Sequence, residues 1–96
     1  MLSLSVPPSI RPLQNVSPII HSDLNLTCVV DGDPVPSVYW LKNGAHVIPR
    51  AQLSADNRTL VINDVDITVD GVYACVAENR AGNQSSSAIV EVLGEY

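Results

Sequence analysis

Two cysteines, two histidines, several turn aspartates and four Asn-x-Ser/Thr triplets are the groups in this 96-residue chain able to carry chemistry. Cys28 and Cys75 are its only cysteines. His21 and His46 lie far apart, and neither has a Cys or carboxylate at metal-ligand spacing, so both read as surface or strand-edge residues. Asp31 and Asp33, like Asp64, Asp66 and Asp70, lack the spacing of a Ca²⁺ loop and read as solvated turn residues. No Ser sits in a Gly-x-Ser-x-Gly elbow, and no Gly-rich loop is built to cradle phosphate. The expectation is a non-enzyme without catalytic residues, metal or cofactor. Asn25, Asn57, Asn83 and Asn15 open the four triplets and are candidate acceptors of N-linked glycans. Asn57, in an expected hairpin, is the best of them, and Asn25 faces outward on its strand. Asn15 is the poorest, because Pro18 follows Ser17.

Size and charge narrow the function classes. Ninety-six residues make one domain, with a core small enough to need a staple. The hydrophobic content is 46% with no Phe, so the core must be built from Val, Ile, Leu and Ala, and its β-branched members favour strands. A formal net charge of −5, with five scattered Lys and Arg, argues against nucleic acid or an anionic membrane as partner. No apolar run approaches the ~18 residues of a membrane span. The N-terminus lacks the basic start and long apolar stretch of a secretory signal, as expected of a piece of a longer protein.

Period-two alternation broken by turn dipeptides dominates the chain, which is the all-β pattern. Asp23 to Val30 reads as a strand with Leu24, Leu26, Cys28 and Val30 on one face. Asp31-Gly32-Asp33-Pro34 reads as a loop. A strand from about Ser37 to Lys42 carries Val38 and Trp40 inward. Asn43-Gly44 is a strong hairpin signal and returns a short strand around His46 to Ile48. Further strands are expected over Thr59 to Asn63, with Leu60 and Ile62 inward, and over Gly71 to Asn79, with Tyr73, Cys75 and Ala77 inward. The last runs over roughly Gln84 to Leu93, after a tight hairpin at Asn79-Arg80-Ala81-Gly82. Ser9 to Val16 is interrupted by Pro and fits a split edge strand.

The order Cys28, Trp40, Tyr73, Cys75 is the signature of an immunoglobulin-type sandwich. The fuller pattern resembles the intermediate (I-set) immunoglobulin domains from Pro8 to about Leu93. It comprises Gly32-x-Pro34-x-Pro36-x-x-x-Trp40-x-Lys42-x-Gly44, Leu60-x-Ile62, Gly71-x-Tyr73-x-Cys75 and Asn79-x-x-Gly82. The resemblance implies two antiparallel sheets with Greek-key connections and a core holding Trp40, Tyr73, Leu60 and Ile62. It also implies a disulfide between Cys28 and Cys75, and hence an oxidising compartment. The domain is expected over 8–94, with 1–7 as a linker or the tail of a preceding domain, as in modular matrix and adhesion proteins of the hemicentin kind. Val69 stands where the family usually has Asp, and Asp70 follows one place later. Arg50 or Arg58 is therefore expected to lack its usual ion-pair partner.

The register places Tyr39, Leu41, Val72, Ala74, Val76 and Ile89 on one outward sheet face rimmed by Glu78 and Glu91, with most of the triplets on the opposite sheet or at loops. That face is a candidate docking surface for another protein domain, homophilic or heterophilic. The leading reading is a non-catalytic interaction and spacer module of an extracellular protein, secreted or in the ectodomain of a membrane protein, with no direct membrane insertion. One alternative is an intracellular structural I-set module of a giant sarcomeric or cytoskeletal protein. Another is a ligand-capturing receptor domain, or a binding module attached to an enzyme.

Overall fold

The computed structural model describes residues 4–47 and 49–94. In chain order its strands are β1 (Val6–Ile10), β2 (Leu24–Thr27), β3 (Val30–Asp33), β4 (Ser37–Lys42), β5 (Ala45–His46), β6 (Gln52–Leu53), β7 (Thr59–Ile62), β8 (Gly71–Asn79) and β9 (Gly82–Val90). One sheet has the order β2-β7-β6 and the facing sheet β5-β4-β8-β9, while β1 pairs with β3 as a separate ribbon. All these pairings are antiparallel.

Alternation determines what is buried. Leu24, Leu26, Leu60 and Ile62 from the first sheet meet Val38, Trp40, Tyr73, Cys75, Ala77 and Val90 from the second. Cys28 and Cys75 are bonded, with their Cα atoms 6.3 Å apart. Trp40 is the direct β4 neighbour of Cys75, so the indole lies beside the bridge. Its ring N–H donates to the Asn57 carbonyl at 2.7 Å. The Tyr73 hydroxyl donates to the Val69 carbonyl at 2.7 Å. Burial pushes this phenol up to about 12, since the interior cannot solvate a phenolate.

Several expected boundaries move. The segment Asp23 to Val30 keeps its buried alternation but is two strands, because β2 bonds to β7 and β3 turns to β1. The expected loop at Asp31-Gly32-Asp33 is therefore strand. Gly32 permits this: a Cβ there would meet Pro36 Cγ at 3.0 Å and the Pro8 Cα at 3.3 Å. The first edge strand is indeed split, into β1 and a parallel bridge from Val16 to Val90, but β1 starts at Val6 and contains Pro7 and Pro8. Val6 and Pro7 of the segment set aside as a junction are thus strand residues. β5 stops at His46, and Ile48 lies outside the described residues. The last strand begins at Gly82, two residues before the expected start.

The Arg50 expectation is corrected. Arg50 Nη1 donates to Asp66 at 3.1 Å, and Nη2 donates to the Asn63 and Asp64 carbonyls at 3.1 and 2.7 Å. Asp66 is available because it caps a 3-10 turn over Ile67–Val69, accepting from the Thr68 N–H and hydroxyl. Asp70 accepts instead from the Val92 N–H at 2.6 Å, tying the chain's exit to the start of β8.

Candidate interaction face and glycan acceptors

The β5-β4-β8-β9 sheet has a buried inner face and an outer face presented to solvent. Register puts Tyr39 opposite Val76, Leu41 opposite Ala74 and Val72 opposite Ile89. Paired strands bring such side chains within about 5 Å of each other, so these residues form one continuous stripe. Tyr39, Val72 and Ile89 remain 42, 43 and 53% exposed. Leu41, Ala74 and Val76 are half-buried. Glu78 closes the stripe at one end, opposite Ser37 and Asn83.

All four candidate glycan acceptors are exposed. Asn25 is on β2 of the other sheet, and Asn57 is in the turn between β6 and β7 with a positive φ of 61°. Asn83 corrects the picture of a sheet face clear of triplets: it is on β9, in line with Ser85, Ser87 and Ile89 on the outer face. Asn15 borders the same sheet, its Oδ1 accepting from the Ile89 N–H at 2.8 Å. That bond leaves the side-chain nitrogen, where a glycan attaches, uncommitted among the described contacts.

The two ends of the domain are built by polar side chains that sequence reading missed. Asn79 donates to the carbonyls of Val6 and Pro34 at 2.7 and 3.0 Å and accepts from the Ala81 N–H at 2.9 Å. One side chain thus joins the entering strand, the loop at Pro34 that follows β3 and the β8–β9 hairpin. Arg80 adds a bond to Ser5 at 2.8 Å. The chain therefore enters beside Asn79 and leaves beside Asp70, at opposite ends of β8. Nine residues of strand span roughly 26 Å.

His21 meets Asp64 at 2.7 Å with both side chains 74% exposed. No cluster of three metal-ligating side chains occurs among the described residues. A hollow lined by Ser9, Arg11, Val29, Val30 and Asp31 opens to solvent. No helix among the described residues is long and apolar enough to cross a membrane.

This geometry meets its counterpart in the family comparison, where the immunoglobulin I-set domain model matches residues 7–92. The chain belongs to the immunoglobulin I-set family. Human contactin-3 is 32% identical over 84 residues, 88% of this chain and 8% of the relative. Mouse hemicentin-2 is 31% identical over 99 residues, 98% of this chain and 2% of the relative. The rat netrin receptor DCC is 40% identical over 89 residues, 91% of this chain and 6% of the relative. The chain thus spans less than a tenth of each of these relatives. Among solved structures, a chimeric titin Z1Z2 superposes with a TM-score of 0.89 at 29% identity, covering 97% of this I-set chain and all of that one. A titin M10–obscurin-like 1 Ig complex gives 0.84 at 33% identity, covering 95 and 98%. No catalytic family is indicated.

Proposed function

We propose that this domain is a non-catalytic interaction and spacer module of an extracellular multidomain protein serving adhesion, matrix assembly or receptor architecture. The observation that carries this reading is the placement of entry and exit at opposite ends of β8, about the Cys28–Cys75 staple. Such a unit threads lengthwise between neighbours and presents the Tyr39–Val76 face sideways. Weak contacts by single modules would then be multiplied by repetition along the array. The disulfide and the exposed acceptors Asn25 and Asn57, both away from the β9 edge, favour the secretory pathway. Ser5, just ahead of β1 and held by Arg80, would belong to the junction with a preceding domain.

The experiment uses an antibody raised against the domain on cells that express the full-length protein. Staining of intact cells, or recovery from the medium, is the expected result. Staining that appears only after permeabilisation overturns the extracellular reading. It would favour the intracellular structural alternative, for which the titin neighbours are the supporting observation.

A further inference from the structure

We propose that the free edge of β9 is a self-association site, at which residues 83–87 pair antiparallel with the same residues of a second copy of this chain. The proposal deepens the interaction-module reading by naming a partner, and it starts from the backbone. Val16 donates to the Ile89 carbonyl, and the Ile89 N–H donates to Asn15 Oδ1, so residue 89 directs both of its polar backbone groups away from β8. Strand alternation carries that orientation to Ser87, Ser85 and Asn83. Their N–H and C=O groups bond to no described residue. The segment from Ile10 to Leu13 does not fill this edge. Its N–H groups reach the Gln84 and Ser86 side chains, which point to the same side as buried Ala88 and Val90, so it passes on the core side of the sheet.

The other edges are short or blunted, β2 and β3 having only four residues each. β5 and β6 are two residues long, and β1 carries two prolines and an irregular register. β9 has nine residues, no proline and no charge. An open edge of this kind templates another strand.

The register selects a second copy as the occupant. A two-fold axis at Ser85 sets Ser85 against Ser85 of the second copy, and Asn83 against Ser87 of the second copy. Every outward-facing residue of the segment then meets an outward-facing residue. Side chains across the new seam are uncharged, and the central row reads Val76, Ser85, then the same two residues in reverse. The Tyr39–Val76 stripes of both copies become the two flanks of one eight-stranded sheet. The opposing force is the net charge of −5 on each copy, which salt screens.

The test is sedimentation of the oxidised 96-residue chain made without N-glycans, over a concentration series at low and high salt. The expected result is a monomer–dimer equilibrium that strengthens with salt. S85P removes an outward N–H while Gln84 and Ser86 keep the bonds to β8, and S85E sets two carboxylates face to face across the axis. Each is expected to weaken dimerisation at least tenfold; should S85P fail to fold, S85E alone carries the test. A wild-type chain that stays monomeric, or a folded S85E that dimerises as well as wild type, overturns the proposal. Neither result touches the surface-staining outcome that tests the extracellular reading.

Discussion

The Trp40 indole N–H donates to the Asn57 carbonyl at 2.7 Å, joining the centre of one sheet to the turn that closes the other. The same Asn57 is exposed and opens the Asn57-Arg58-Thr59 triplet, a candidate glycan acceptor. One residue therefore holds the core at its backbone and faces solvent at its amide. Replacing Trp40 by Phe shrinks the ring beside the disulfide and strands the Asn57 carbonyl. The expected loss is about 2–3 kcal/mol, read from urea unfolding followed by circular dichroism.

The disulfide closes a sequence separation of 47 residues. In the chain-entropy model such a crosslink contributes roughly 4 kcal/mol, against about 5–15 kcal/mol for a whole domain. The Cys28→Ala, Cys75→Ala double variant is therefore expected to retain the sandwich pattern but unfold at much lower denaturant. A midpoint equal to that of the oxidised wild type would contradict this.

Tyr73 makes alkaline stability a readout of the corner it forms. The phenol ionises near 10 when unfolded and near about 12 when folded. Above pH 10 the unfolded chain holds fewer protons than the native one, so stability present below pH 10 is lost as pH rises through 12. The slope approaches about 1.4 kcal/mol per pH unit. Tyr73→Phe should remove this slope while costing about 1 kcal/mol at neutral pH through the lost bond to Val69.

At acid pH the sign reverses. The Thr68 hydroxyl, and then Arg50, hold the Asp66 carboxyl below its ordinary value. The unfolded chain takes up this proton first on acidification, so the contribution present above pH 4 disappears as pH falls through the lower folded value. Asp66→Asn is expected to lower the melting temperature at pH 7 and to reduce its fall between pH 4 and 2. Equal acid sensitivity in variant and wild type would remove Asp66 from this role.

What sequence revealed of the fold tracks how local its causes are. The alternation from Gly71 to Asn79 and the hairpin Asn79–Gly82 are set by neighbours in sequence, and both stand in the structure. β3 was hidden because Asp31-Gly32-Asp33 has turn composition. It becomes strand only through pairing with β1, about twenty residues away, and through the space Gly32 leaves for Pro8 and Pro36. Two-residue β6 carries no periodicity to read. The partner of Arg50 depended on a 3-10 turn whose cap, Asp66, resembles any turn aspartate. On the outer face, the stripe from Tyr39 to Ile89 followed from period two alone. The position of Asn83 did not, since it hinges on β9 starting at Gly82 rather than Gln84.

The proposed secretory setting requires that Cys28 and Cys75 be bonded in the protein as cells make it. Alkylating the full-length protein at the moment of lysis, then digesting it and weighing the peptides that carry Cys28 and Cys75, reads the state of that bond. The expected result is the two peptides joined through sulfur, with neither cysteine alkylated. Recovery of both as separate alkylated peptides would contradict it.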